Sequence, residues 1–163
     1  MAQYRRIGGF MEGIDAVLYS PLQKKSDCGV IIMHSDSSYL SFSAGPELAA
    51  RGYTALCANV SDPGMPLDEK LTSVQPATAF LRAQEGIRMI ALLGHSGGAT
   101  LMSCYQAVAE NGPGIFQDER RIVPMAFEGD LPAADALLLI DSNFGNGVMT
   151  LVSLDPGVTD EQS

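Results

Sequence analysis

A chain of 163 residues is long enough to bury one hydrophobic core, and its 46% apolar and 18% charged residues exclude an intrinsically disordered protein. The net charge of −9 argues against nucleic acid or an anionic membrane surface as a partner, because like charges repel each other. No apolar stretch is long enough to span a bilayer and no N-terminal segment has the pattern of a secretion signal, so residues 1–163 are predicted to form a single cytoplasmic domain.

The first half of the chain alternates strand and helix patterns. Residues 4–19 carry the alternating, glycine-broken apolar residues that are typical of two antiparallel strands. The continuous apolar run at residues 29–33 predicts a strand that is buried on both faces. Helical spacing begins near Ser43 and ends at Gly52, and residues 53–60 have the next strand pattern. Strands that alternate with helices predict an α/β three-layer sandwich with a mostly parallel sheet.

The second half continues this alternation. Residues 67–85 form a helix pattern with a bend predicted at Pro76, and residues 90–93 are a short buried strand. Apolar side chains recur at helical spacing over residues 101–110. Residues 112–130 are mixed and charged, and they predict a loop or a cap segment over a site.

The C-terminal part has a weaker pattern. The apolar run at residues 136–140 predicts another buried strand, which ends at Asp141. Residues 143–163 are rich in glycine and turn residues and show no clean period.

Residues 94–98 read Gly-His-Ser-Gly-Gly, with a strand pattern before them and a helix pattern after them. This is the G-x-S-x-G pattern in the strand, turn and helix context of a nucleophile elbow, centred on Ser96. Glycines are needed because side chains two residues away would collide with the neighbouring strand and helix. The alternatives are a structural glycine-rich turn or a phosphate-binding loop, although neither the Walker lysine nor the dinucleotide fingerprint G-x-G-x-x-G is present.

With this elbow in place, the chain resembles the α/β-hydrolase superfamily, and in particular its serine esterase-like branch. The similar stretches include LAARGY at residues 48–53, LLGHSGG at residues 92–98 and LDP at residues 154–156. The resemblance runs from the opening strands to the strand that ends at Asp141. It implies that the chain is the N-terminal portion of an apparently incomplete α/β-hydrolase core, with Ser96 as the nucleophile.

The resemblance also implies an oxyanion hole. One donor is the backbone N–H that follows the nucleophile, which maps onto Gly97. The second comes from the loop after the third strand, which maps onto Asp36 or Ser35, and this sequence has His34-Ser35 where the family has His-Gly. We interpret His95 as a packing or pocket-lining residue, and His34 as a pocket-lining residue that forms structural hydrogen bonds rather than acting as a base.

The catalytic base is the main departure from the family pattern. Family members carry a histidine after the catalytic acid, whereas neither histidine of this chain follows Ser96. Asp141 is the candidate acid, and a surface or capping aspartate is the alternative. Three explanations are open: the base lies on a segment or chain outside this sequence, the protein is an inactive relative, or His34 acts in an unusual geometry. We favour the first, because family members continue with further strands.

The expected function is therefore that of a serine hydrolase, which cleaves a small-molecule carboxylic ester through an acyl-enzyme on Ser96. A second polypeptide segment that completes the fold is the expected partner, with a homo-oligomer as the alternative. The other functional class that fits is an inactive small-molecule-binding module. Acyl transfer and lactone cleavage would use the same residues.

No metal or organic cofactor is indicated by the sequence. The three cysteines are widely spaced, lack metal-binding spacing and predict reduced core thiols. Four large apolar residues are candidates either for an apolar pocket or for core packing, and core packing is the favoured role. They are Met102, Met125, Phe127 and Phe144.

Overall fold

The computed structural model of the chain describes residues 4–11, 13–117, 129–143 and 145–153. Within these ranges, no helix is both long enough and apolar enough to cross a bilayer. The elements in chain order are β1 (Tyr4–Met11), β2 (Ile14–Pro21), β3 (Cys28–Met33), α1 (Ala44–Ala50), β4 (Thr54–Ala58), α2 (Leu67–Arg82), β5 (Met89–His95), α3 (Gly97–Asn111), a 3-10 helix (Pro113–Phe116), β6 (Ala136–Ile140) and α4 (Asn146–Ser153).

The six strands form one mixed sheet in the order β1-β2-β4-β3-β5-β6. The β1–β2 hairpin is antiparallel and joins β4 in antiparallel pairing, and the remaining pairs are parallel. The predicted mostly parallel sheet is therefore confirmed. Met33 at the end of β3 pairs with Gly94 near the end of β5. The loop after β3 and the turn after β5 consequently meet at one edge of the sheet.

Helices cover both faces of the sheet, as predicted for a three-layer sandwich. Ile31 and Ile32 are adjacent in β3 and fully buried, and they point into different cores because successive strand side chains face opposite sides. Ile31 packs in the core that contains Leu71 of α2 and Leu101 of α3, whereas Ile32 packs in the core that contains Ala49 of α1. Burial of each such large side chain stabilises the fold by about 1.5–3 kcal/mol.

None of the three cysteines forms a disulfide, and two of them are buried. Burial raises the pKa of Cys57 to about 12, so this thiol stays protonated and unreactive at neutral pH. Cys104 is buried in the core between the sheet and α3, whereas Cys28 is only half-buried. The prediction of core thiols is confirmed for Cys57 and Cys104, and Cys28 lies at the margin of the core.

The prediction that residues 136–140 are a buried strand is wrong about burial, although the strand itself is present. The side chains of Leu137 to Ile140 are 38–46% exposed. In the described part of the chain, β6 pairs with β5 alone and forms one edge of the sheet. Helix α4 was not predicted, and its Val148 and Leu151 are also exposed. The structure therefore exposes apolar side chains along β6 and on α4.

Several predicted features lie outside the described residues. They are residues 118–128 of the predicted loop or cap segment, with Met125 and Phe127, together with Phe144 and the LDP stretch at residues 154–156.

Candidate active site

Ser96 occupies a strained backbone conformation between β5 and α3, with φ of 54° and ψ of −121°. Its backbone N–H donates to the carbonyl of Ile140 at 3.0 Å, and its own carbonyl accepts from the N–H of Ala99 at 3.0 Å. A positive φ in a residue other than glycine costs about 1–3 kcal/mol and persists only where the surroundings impose it. Such strain, at the C-terminal end of a central strand, is characteristic of a nucleophile elbow.

Two glycines make this sharp turn sterically accessible. A Cβ atom on Gly98 would lie 2.2 Å from the backbone oxygen of Met33, and one on Gly94 would lie 2.4 Å from the backbone oxygen of Gly98. Side chains at these positions would therefore collide with β3 and α3. The physical reason predicted for the glycine pattern is confirmed.

The loop after β3 lies directly against the first residue of α3. A Cβ atom on Gly97 would be 2.6 Å from Ser35 Oγ and 3.1 Å from Cε1 of His34. Ser35 itself is buried. The predicted oxyanion residues Gly97 and Ser35 are therefore brought into contact, and their roles as donors stay a prediction.

The His34 ring holds its own loop together. Its Nδ1 accepts hydrogen bonds from the backbone N–H groups of Asp36 and Ser37, each at 3.0 Å. Burial lowers the pKa of His34, which favours the neutral ring, although Asp36 partly opposes this effect. A neutral ring that accepts at Nδ1 carries its proton on Nε2 and has no lone pair there to act as a base. This arrangement disfavours the explanation that His34 serves as the catalytic base.

Both histidines pack against Tyr39, which the sequence analysis did not identify. The Tyr39 ring stacks on His34 at a centroid distance of 4.9 Å and on Phe42 at 4.4 Å. Its hydroxyl lies 2.6 Å from Nδ1 of His95. The rings of His34, Tyr39, Phe42 and His95 therefore form an aromatic cluster next to the elbow.

Asp141 follows β6 directly and is next to the elbow, because the preceding residue, Ile140, accepts the hydrogen bond from Ser96. Its carboxylate is 85% exposed and lies 4.0 Å from Nε2 of His95. Its backbone has a φ of 48°. The role of Asp141 as the catalytic acid stays a prediction.

A cleft of about 370 Å³ opens beside Gly97 and the loop after β3. Neither His34 nor His95 is among its lining residues, so a direct contact of either ring with a ligand stays a prediction. Met102 is fully buried in the core, which agrees with the favoured packing role. The cleft is lined by Ser35, Asp36, Met65, Pro66, Leu67, Lys70, Gly97, Thr100, Asn143 and Gly145.

Lys70, Thr100 and Asn143 are cleft residues that the sequence analysis missed. Thr100 donates from Oγ1 to the side-chain oxygen of Asn143 at 2.7 Å, across 43 residues of chain. Nothing in the local pattern marks that pair. Lys70 could have been identified from the sequence, because it lies four residues before the buried Val74 on a helix face whose other residues are apolar or small.

The stability of the protein is expected to fall as the pH falls below neutrality, because burial lowers the pKa of His34. The unfolded chain takes up this proton near its ordinary pKa of about 6.5, before the folded protein does, so protonation favours unfolding. The free energy of unfolding should therefore decrease from about pH 6.5 toward the folded pKa of His34. Urea titrations between about pH 7.5 and pH 5 measure this slope.

The matched control for this prediction is His34→Gln, which removes the titrating ring. The variant should show a flatter pH dependence of the free energy of unfolding in the same range, and an unchanged slope would contradict the prediction.

Asp36 contributes to the free energy of unfolding in a separate pH range, because the hydrogen bond from Lys70, followed by that from Ser35, lowers the pKa of its carboxyl. Its stabilising contribution is complete above about pH 3.9 and is lost as the pH falls through its folded pKa.

No protein-family model matches the sequence, and a search of curated proteins finds no significant match. Solved structures of esterases do match the fold. An inhibited esterase B from Lactobacillus rhamnosis is 14% identical with a TM-score of 0.61, and the match covers 87% of this chain and 50% of that protein. Brefeldin A esterase, a bacterial homologue of human hormone sensitive lipase, is 14% identical with a TM-score of 0.57, over 68% of this chain and 36% of that protein.

A thermostable carboxyl esterase from Bacillus coagulans, in complex with glycerol, is 12% identical with a TM-score of 0.52. The match covers 69% of this chain and 42% of that esterase. The chain therefore has the α/β-hydrolase fold, as the sequence resemblance implied. It spans half or less of the length of these three esterases.

Proposed function

We propose that the chain supplies the nucleophile of a serine esterase that acts on a small-molecule carboxylic ester. The observation that carries this proposal is the strained backbone of Ser96, in a turn that only glycines at positions 94 and 98 allow. The Ser96 oxygen bonds to the acyl carbon, the ester C–O bond breaks, and the alcohol leaves with the serine proton. Water then hydrolyses the acyl-enzyme to release the acid and restore the serine.

The negative charge that develops on the carbonyl oxygen would be held by two backbone N–H groups. The proposed donors are Gly97, at the start of α3, and Ser35, in the loop that lies against it. Asp36 is the less suitable second donor, because its backbone N–H already donates to Nδ1 of His34. Loss of one such donor typically lowers the rate by about 10²–10³-fold.

The base is proposed to come from a histidine on a segment or chain outside this sequence. A serine hydroxyl needs a base at neutral pH, and the hydrogen bonds at His34 leave that ring in the wrong tautomer. Among the described residues β6 pairs with β5 alone, so its other edge and its exposed apolar side chains would accept such a segment. The exposed Asp141 at the end of this edge would orient the incoming histidine. A second copy of the chain is the alternative partner, and the proposed location is the cytoplasm.

A binding module without catalytic activity is the second candidate function. It is favoured by the tautomer of His34, which leaves that ring without a free lone pair to act as the base. The same cleft beside Gly97 would then hold a small molecule reversibly.

Native mass spectrometry after exposure to a fluorophosphonate probe separates the two functions, with the protein isolated from its own cells without denaturation. We expect a labelled species heavier than this chain, which separates on denaturation into this chain, labelled at Ser96, and a second polypeptide. An unlabelled lone chain that binds a small ligand reversibly, even as Ser96→Ala, would replace the esterase proposal with the binding module.

A further inference from the structure

Lys70 is a buried charge in a position that stability alone disfavours. It lies in the first turn of α2, where the positive end of the helix dipole repels a cation. Its side chain is only 8% exposed. Burial of an ammonium group costs free energy, and an apolar side chain of similar length would avoid that cost. Because Lys70 lines the cleft beside the elbow, this unfavourable placement points to a role in the site.

The ammonium group of Lys70 is bonded to the loop after β3. Its Nζ donates to Oδ1 of Asp36 at 2.8 Å, and the other carboxylate oxygen accepts from Ser35 Oγ at 2.5 Å. The hydrogen bond from Lys70, followed by that from Ser35, lowers the pKa of Asp36, so the carboxylate is ionised at neutral pH. These charge-assisted hydrogen bonds form a continuous connection from α2 to the loop.

The connection ends at the elbow. Ser35 Oγ lies 2.6 Å from the position that a Cβ atom would take on Gly97. An oxyanion hole works only when its donors lie about 2.7–3.1 Å from the developing charge, so the distance between this loop and α3 must be held closely. The side chains of Lys70 and Asp36 connect this loop to α2.

We propose that Lys70 is a positioning residue whose ion pair with Asp36 fixes the loop after β3 against Gly97, so that the second oxyanion donor is in place. This role rests on the proposed function of Ser96. Lys70 acts through Asp36 and Ser35 and does not contact the reacting atoms. Lys70→Met keeps the length and apolar contacts of the side chain and removes its charge, whereas Lys70→Arg keeps the charge.

Hydrogen exchange of the Asp36 and Ser37 amides measures the loop without any reaction at the nucleophile. We expect exchange at least about tenfold faster in Lys70→Met, because the loop opens more often once the ion pair is lost. Lys70→Arg should restore slow exchange. Arg82→Met is the matched control, since it removes a different ion pair of α2 and should leave the loop amides unchanged.

The rate of phosphonylation of Ser96 in the complete assembly measures the functional consequence. We expect the inactivation rate constant of Lys70→Met to fall by about 10–100-fold, with the binding constant of the probe unchanged and with recovery in Lys70→Arg. Unchanged loop exchange together with an unchanged rate constant would overturn the proposal. If Lys70→Met does not fold, Asp36→Asn replaces it in both measurements, because this variant keeps the shape of the Asp36 side chain and removes its charge.

The two measurements also separate this proposal from the proposed esterase function. A wild-type protein that is never labelled would overturn the esterase function. Faster loop exchange in Lys70→Met would still establish, in that case, that the ion pair fixes the loop.

Discussion

Replacement of Gly98 by alanine is expected to lower the free energy of unfolding by more than about 3 kcal/mol. The added Cβ would lie 2.2 Å from the backbone oxygen of Met33, far inside the contact distance. The clash cannot be relieved by a rotamer change, because both groups are fixed to backbone, one in α3 and the other in β3. Either α3 moves away from the sheet or the elbow unwinds, and both changes also disturb Ser96.

Gly147→Ala is the matched control, because Gly147 is also helical and, among the described residues outside its own helix backbone, no atom lies within 4 Å of its ideal Cβ position. This variant should be more stable than the wild type by about 0.5–1 kcal/mol, since alanine loses less conformational entropy in a helix. Urea denaturation of both variants measures the difference. If the two substitutions changed the free energy of unfolding equally, close packing at the elbow would not be the reason for a glycine at position 98.

The order of strands and helices could be predicted from the sequence because it depends on local patterns. The apolar run in β3 is long enough to fill both faces of one strand, and the structure buries Ile31 and Ile32 in opposite cores. The same reasoning failed at β6, which also reads as an apolar run. Whether such a strand is buried depends on what pairs with its far side, and residues 136–140 carry no information about that neighbour.

The candidate site could be predicted only where it depends on residues that are close together in the sequence. Ser96 and Gly97 are adjacent in a motif that local sterics explain, whereas the contact between Lys70 and Asp36 joins residues 34 apart, and that between Tyr39 and His95 joins residues 56 apart. Such contacts depend on how the loop after β3 folds over the elbow. Its sequence of serines and an aspartate is equally compatible with a solvated turn.

Replacement of Ser96 is expected to abolish labelling by a fluorophosphonate. One of the two replacements, Ser96→Gly, is also expected to raise the free energy of unfolding. Ser96→Ala and Ser96→Gly should both abolish labelling by a fluorophosphonate, and under the proposed esterase function they should lower turnover of the complete assembly by about 10⁶-fold. Ser96→Gly should also raise the free energy of unfolding by about 1 kcal/mol. Glycine adopts a φ of 54° without the strain of about 1–3 kcal/mol, and its greater entropy in the unfolded chain offsets part of that gain.

Ser41→Gly is the matched control for the stability effect, because Ser41 is exposed and has no positive φ. It should destabilise the protein by about 0.5–1 kcal/mol, opposite in sign to Ser96→Gly. The two variants, compared by urea denaturation, separate relief of strain from the general cost of a glycine. A loss of stability in Ser96→Gly would mean that the elbow holds no strain, and persistent labelling of Ser96→Ala would mean that another residue is the nucleophile. A stability gain together with complete loss of labelling is the result expected if the fold holds this serine in a strained conformation for its chemistry.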